Sequence, residues 1–116
     1  MYHGKKLTLC GIIHKNRSMV REFLEGLGKR NQAQMANLLK YTSDNGPPNN
    51  EEKFKNLGHG IYEFKTRSGF RILCFWGHSN SIILTHGFPK CKPRRLETEK
   101  QKALSWYSEY LKLVEK

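Results

Sequence analysis

Three strand-like segments follow one another between residues 61 and 88, and they constrain the fold more than any other part of the chain. They are Ile61 to Arg67, Phe70 to Trp76 and Ser81 to Phe88, each rich in β-branched or aromatic residues. The connections between them are only a few residues long, whereas a parallel strand pair needs a crossover of about a dozen residues or more. The sequence therefore predicts a three-stranded antiparallel meander.

Patterns with helical spacing lie on both sides of this meander. Ser18 is a suitable N-cap for a first helix with apolar residues at positions 20, 23, 24 and 27, and a second helix is predicted from Gln32 to Thr42. The last pattern runs from Thr98 to Glu115. A strand-like run from Lys6 to Ile13 opens the chain, and residues 43 to about 56, with two prolines, form the longest predicted loop.

These elements predict one α+β domain over residues 1–116. Its order would be an N-terminal strand, a two-helix hairpin, the three-stranded antiparallel meander and a C-terminal helix.

The charge of the chain limits its partners. It has 21 Lys and Arg residues against 10 Asp and Glu residues, a formal charge of +11 on 116 residues. A polyanion is therefore the expected partner, although charge alone does not distinguish DNA, RNA, an acidic protein or anionic lipid. No apolar run approaches the roughly 18 to 20 residues that cross a bilayer, and three widely spaced cysteines favour reduced thiols. We expect a cytoplasmic protein without a membrane partner.

The turn between the first two meander strands carries a cluster of cations, Lys65, Arg67 and Arg71. A two-residue loop of Ser68 and Gly69 would place Lys65 and Arg71 on opposite faces of the sheet. A three-residue loop that also includes Arg67 pairs Lys65 with Arg71 on one face, and we favour this register. The cations could simply be solvated, but Arg71 interrupts a strand that is otherwise apolar on both faces, which favours a phosphate-binding role.

A second basic segment follows the third strand. Pro89 and Pro93 stiffen it and so reduce the conformational entropy that its cations would lose on binding. The alternative is a solvated connector, which is common in basic proteins. The cations of this segment are Lys90, Lys92, Arg94 and Arg95.

Two of the five histidines, His59 and His86, are candidates for substrate contact or proton transfer near neutral pH. The alternatives are an exposed loop residue for His59 and a residue at the rim of the core for His86. No histidine and cysteine stand at zinc-finger spacing and no His-Glu-x-x-His motif occurs, so neither a metal nor another cofactor is expected. The aromatic residues have the spacing of buried strand and helix faces, so most are expected in the core.

The ordered segments Gly-Ile-Tyr-Glu-Phe-Lys-Thr-Arg, Gly-Phe-Arg-Ile-Leu-Cys-Phe and Ile-Ile-Leu-Thr-His-Gly-Phe-Pro-Lys-Cys-Lys, followed by a helix, resemble the HigB-like branch of the RelE/ParE toxins, including phage-derived Gp49-like proteins. The resemblance extends from Leu57 to about Tyr110 and depends on the order of the segments, since no single motif is diagnostic. It implies a RelE-like fold. It also implies a toxin that enters the ribosomal A site beside 16S rRNA, cleaves messenger RNA, and is neutralised by a helix-turn-helix antitoxin.

The resemblance also implies roles for individual residues in a transesterification by the ribose 2′-hydroxyl. Lys65 would assist the 2′-hydroxyl, either electrostatically or as its base, and Arg71 would stabilise the negative charge of the phosphorane-like transition state. Lys90 matches the lysine that follows the family's Phe and would bind a backbone phosphate or stabilise transition-state charge. Glu63 departs from those RelE members that have lysine there, although glutamate is usual in the HigB-like branch. No tyrosine matches the C-terminal tyrosine of RelE. Substrate contacts would come from Arg67, Lys92, Arg94, Arg95, His59 and His86.

The sequence is also compatible with two other functions. A ParE-like toxin would share the fold but poison DNA gyrase, and a phage accessory protein could bind nucleic acid without toxicity. The cations Lys65, Arg71 and Lys90 favour the nuclease over the gyrase poison.

Overall fold

The computed structural model describes residues 1–114, which form an α+β structure. Its helices are α1 (Met19–Gly26), α2 (Lys29–Asn45) and α3 (Pro93–Val114). Its strands are β1 (Tyr2–His3), β2 (Thr8–Gly11), β3 (Ile13–His14), β4 (Arg17–Ser18), β5 (Phe54–Gly58), β6 (Ile61–Lys65), β7 (Phe70–Trp76) and β8 (Ser81–Pro89).

Six of the strands form one mixed sheet in the order β1-β2-β8-β7-β6-β5, while β3 and β4 form a separate hairpin. The meander is present as β6, β7 and β8, but the predicted arrangement of a lone opening strand, a helix hairpin and a three-stranded meander is wrong. β2 pairs with β8 in parallel, from Thr8 opposite Ser81 to Gly11 opposite Leu84. β1 extends the sheet beyond β2, and β5 extends it beyond β6.

The missed strands have a physical explanation. β5 lies partly within the predicted long loop, and its sequence Phe-Lys-Asn-Leu-Gly contains residues that strands disfavour. Pairing of its backbone with β6 holds it in the sheet, with Lys55 opposite Glu63. β1 has only two residues, too few for an alternating pattern. Both strands therefore depend on a neighbour rather than on their own sequence.

The helices lie on the two faces of the sheet. α1 and α2 pack on one face around buried residues that include Leu9, Val20, Met35, Leu39, Phe64 and Ile72. α3 packs on the other face, where Ala103 meets Ile61, Leu73, Phe75 and Phe88. The sheet is thus covered on both sides, in agreement with the apolar character of β7.

The helices begin and end close to the predicted positions. Ser18 caps α1 as predicted, since its Oγ accepts a hydrogen bond of 3.2 Å from the backbone N–H of Arg21. α3 begins five residues before the predicted start, with Pro93 at a position that suits proline. Glu115, where that helix was predicted to end, lies outside the described residues. No helix within residues 1–114 is long and apolar enough to cross a membrane.

The aromatic residues are only partly core. Phe64 is fully buried, and the Tyr107 ring stacks on Phe75 with 4.6 Å between the ring centroids. Tyr110 is half-buried against the same Phe75, whereas Trp76 is 40% exposed at the end of β7. Phe75 therefore anchors α3 to the sheet through two tyrosines.

Candidate active site

The β6–β7 hairpin has the predicted three-residue loop, and Lys65 lies directly opposite Arg71. The Thr66 N–H donates to the carbonyl of Phe70 at 3.0 Å, and the Gly69 N–H donates to the carbonyl of Thr66 at 3.1 Å. Gly69 has φ +95°, a backbone conformation that residues other than glycine rarely adopt. The favoured register is therefore confirmed, with both cations on the face that α3 covers.

The end of β8 brings Lys90 to this hairpin. Arg71 pairs with Phe88 across the strands, and the Lys90 N–H donates a hydrogen bond of 2.6 Å to the carbonyl of Gly69. This bond ties the chain after β8 to the hairpin loop. Lys90 is consequently held beside Lys65 and Arg71 by backbone contacts rather than by its own flexible side chain.

These three cations line one pocket of about 180 Å³ on the α3 face of the sheet. The Arg71 side chain is 14% exposed, Lys65 is half-buried, and Lys90 is exposed at the rim. The Lys65 Nζ donates to the backbone carbonyl of Glu51 at 3.1 Å, which leaves further N–H groups for a ligand. The pocket is lined by Lys55, Glu63, Lys65, Arg71, Phe88, Lys90, Cys91 and Leu96.

The charge of the pocket suits an anion. Its lining contains three lysines and one arginine against the single carboxylate of Glu63. A larger cavity of about 430 Å³ lies between the β3–β4 hairpin and α1, but there two arginines, Arg17 and Arg21, face two glutamates, Glu22 and Glu25. The smaller pocket is therefore the one with a surplus of positive charge.

Glu63 is the carboxylate at the floor of the pocket, and its side chain is only 4% exposed. Burial raises its pKa above the ordinary value of 4.5, while the charges of Arg71, Lys65 and Lys55 act in the opposite direction. The Arg71 Nε lies 3.8 Å from the carboxylate, which is beyond hydrogen-bond distance. The cations around Glu63 therefore offset only part of the cost of burying its charge.

The remaining basic candidates do not line this pocket. Arg67 is exposed in the hairpin loop, and Lys92 is exposed just before α3. Arg94 and Arg95 are exposed in the first turn of α3, where Arg95 Nε lies 3.7 Å from Glu99. They follow the pocket residues closely in the chain and extend the positive surface beyond the pocket.

The two histidines face α3 instead of the pocket. His59 has φ +58° in the β5–β6 turn, and its Nδ1 lies 3.0 Å from the Nζ of the buried Lys100. His86 is buried with its ring against Trp106, and its Nε2 lies 3.4 Å from a carboxylate oxygen of Glu99. Each histidine therefore connects the sheet to α3.

Burial lowers the pKa of His86 below 6.5, and the carboxylate of Glu99 only partly offsets this. Burial acts to raise the pKa of Glu99, but the hydrogen bond and charge of Lys102, 3.0 Å away, together with His86, lower it. The described residues contain no group of three or more His, Cys, Asp or Glu side chains that could hold a metal ion.

The sequence did not identify several lining residues. Lys55 would have followed from a correct prediction of β5, since it pairs with Glu63. Glu63 lies two residues before Lys65 and therefore on the same strand face. The sequence could have placed Glu63 beside Lys65, but it could not have shown that Glu63 is buried. Phe88, Cys91 and Leu96 join the pocket only because α3 folds across the sheet.

A family model described as "Phage derived protein Gp49-like (DUF891)" matches residues 22–108, which include every residue that lines the basic pocket. No curated protein matches the chain.

Proposed function

The chain belongs to the phage-derived Gp49-like family, a RelE/HigB-like toxin family, and on this premise we propose that it is the toxin of a type II toxin–antitoxin pair that cleaves messenger RNA on the ribosome. The supporting observation is the pocket in which Lys65, Arg71 and Lys90 converge. The partners in this proposal are mRNA, the 16S rRNA surface around it and a helix-turn-helix antitoxin. The site of action would be the cytoplasm.

In the proposed reaction the ribose 2′-oxygen attacks the adjacent phosphorus in line. A bond forms from the 2′-oxygen to phosphorus, and the bond from phosphorus to the 5′-oxygen breaks. The products are a 2′,3′-cyclic phosphate and a free 5′-hydroxyl. The 2′-oxygen loses a proton and the 5′-oxygen gains one, while negative charge accumulates on the phosphoryl oxygens.

The three cations match these demands. The Arg71 guanidinium is largely buried and can donate two parallel N–H groups to two phosphoryl oxygens. Lys65 is opposite it on the neighbouring strand, on the same face of the sheet, and can stabilise the nucleophilic oxygen. Lys90 lies at the rim, where an ammonium can protonate or neutralise the leaving oxygen. Because backbone pairing fixes the relative positions of these three residues before the substrate binds, it limits the reorganisation that the reaction requires.

Cations outside the pocket would contact the RNA backbone. Arg67, Lys92, Arg94 and Arg95 are exposed on segments that adjoin the pocket residues in the chain. Such contacts position a strand without selecting its sequence, and their strength decreases as salt increases.

The experiment induces the protein in bacteria and maps transcript 5′ ends. We expect codon-associated cuts that disappear with Arg71→Ala and decrease with Lys90→Ala. Removal of one preorganised donor commonly costs roughly 10²- to 10³-fold in rate. The matched control is Arg30→Ala, which removes an exposed arginine from the first turn of α2 and should leave cleavage unchanged.

Lys90→Ala removes an exposed side chain and should not affect folding. It therefore tests the pocket even if the Arg71→Ala variant fails to fold. Growth arrest with intact transcripts would contradict the proposal. If DNA damage signalling accompanied that arrest, the gyrase-directed activity would replace it.

A further inference from the structure

The basic pocket contains a carboxylate, Glu63, at its floor, although a negative charge there opposes the binding of an anion. Glu63 is buried within the same pocket as four cationic side chains. A glutamine of equal size would avoid the cost of burying a charge there. The position thus uses a charged group where a neutral group would favour both folding and phosphate binding.

Contacts of Glu63 differ from those of a structural carboxylate in the same protein. Glu99 has three cationic or basic groups within 4 Å, which are Arg95, Lys102 and His86. Glu63 has one such group in the described part of the chain, Arg71 at 3.8 Å. Because that distance is too long for a hydrogen bond, the Glu63 carboxylate retains its capacity to accept a proton.

The position of Glu63 relative to the cations suits a proton acceptor. It precedes Lys65 by two residues on the same strand face, so both side chains point towards α3. Arg71 reaches it from the neighbouring strand. A phosphoryl group held by Lys65 and Arg71 would therefore bring its adjacent ribose close to Glu63.

We propose that Glu63 is the general base that removes the proton from the ribose 2′-hydroxyl, an inference that rests on the proposed RNA-cleaving function. As the bond from the 2′-oxygen to phosphorus forms, the 2′-hydroxyl proton moves to a Glu63 carboxylate oxygen. The bond to the 5′-oxygen then breaks, and that oxygen takes its proton from the Lys90 ammonium. Proton exchange with water restores both groups.

The surroundings of Glu63 support this assignment. Its raised pKa makes it a stronger base than an exposed glutamate, and a base is most effective when its pKa approaches the working pH. The ionisable groups around it are Lys55, Lys65, Arg71, Lys90 and Cys91 in the pocket, together with the buried Cys74 thiol, whose pKa burial and the Glu63 charge raise. The nearby cations favour the ionised form that accepts the proton.

The test measures single-turnover cleavage of a short mRNA on ribosomes from pH 5.5 to 8.5. Wild-type rates should rise with pH and level off once Glu63 is ionised. Glu63→Gln should slow cleavage by about 10² to 10⁴, and its remaining rate should keep rising with pH because hydroxide becomes the base. Ribosome binding by this variant should be equal or tighter. Glu109→Gln makes the same change of charge at an exposed carboxylate on α3 and should behave as wild type.

The outcomes separate the two proposals. If Glu63→Gln cleaves within about 3-fold of wild type, or more slowly with the same pH dependence, Glu63 is not the base. Slower cleavage with an unchanged pH dependence would mean that Glu63 only positions Arg71. If wild type leaves the mRNA intact, the proposed function fails, and the role of Glu63 fails with it. Circular dichroism spectra of the variants confirm that each is folded before rates are compared.

Discussion

Substitution of Gly87 by alanine should force α1 away from β8. A Cβ at this position would lie 2.2 Å from Cδ2 and 2.4 Å from Cε2 of Phe23 on α1. Carbon atoms pack at roughly 3.5 to 4.0 Å, so the ring must move by more than about 1 Å. Overpacking typically costs about 1–3 kcal/mol, and alanine recovers roughly 0.4–1 kcal/mol by restricting the unfolded chain. We expect a net loss of about 2 kcal/mol in the free energy of unfolding.

A double-mutant cycle isolates this contact. Phe23 is half-buried, so Phe23→Ala should cost about 2 kcal/mol, less than a fully buried ring. Without the ring, the alanine at position 87 fits into the vacated space. The double variant should therefore be about 2 kcal/mol more stable than the sum of the single effects predicts. Urea unfolding followed by circular dichroism gives all four free energies.

The matched control is Gly26→Ala, because no atom lies within 4 Å of a Cβ built at Gly26. Because no clash offsets the restriction of the unfolded chain, its free energy of unfolding should rise by about 0.4–1 kcal/mol. If the Gly87 and Phe23 effects add within about 0.5 kcal/mol, the close approach of α1 to β8 is not the cause of the destabilisation.

Three further predictions concern the α3 side of the sheet. Gly60→Ala should lower the free energy of unfolding by about 2–3 kcal/mol in urea, because Gly60 has φ +89° and the new Cβ would lie 2.7 Å from Tyr107 Cε2. The free energy of unfolding should decrease as the pH falls below 6.5, because His86 takes up a proton in the unfolded chain but resists protonation when it is buried. His86→Gln should reduce the difference between the free energies of unfolding that are measured in urea at pH 7.5 and at pH 5.5. Glu63→Gln should have a higher melting temperature than wild type at pH 8, because wild type buries an ionised carboxylate whose pKa is raised. This advantage should shrink as the pH falls towards 4.5, and an unchanged difference between pH 8 and pH 5 would contradict it.

Structural features that depend on residues close together in the chain were predicted correctly from the sequence. The hairpin register followed from the turn chemistry around Gly69, and the cap at Ser18 followed from the first turn of α1. Arg71 was recognisable because it interrupts an apolar strand, and this one anomaly located the pocket. Local signals were therefore sufficient for the helices, for the meander and for the convergence of its cations.

Features that depend on distant contacts were not predictable. The parallel pairing of β2 with β8 joins residues about seventy positions apart, and no local pattern specifies it. β5 has a poor strand sequence and relies on β6 for its hydrogen bonds. The burial of Glu63 likewise depends on the packing of α3 over the sheet, so the sequence showed a glutamate but not its environment.

The parallel pairing also has a consequence for the order of events during synthesis. Thr8 to Gly11 can enter the sheet only after their partners Ser81 to Leu84 have left the ribosome. The pocket also needs Leu96, which is made later still. Pairing between such distant segments slows folding, because the long loop must close before any contact compensates for the lost entropy. A nascent chain therefore lacks the complete pocket until most of its length has been translated.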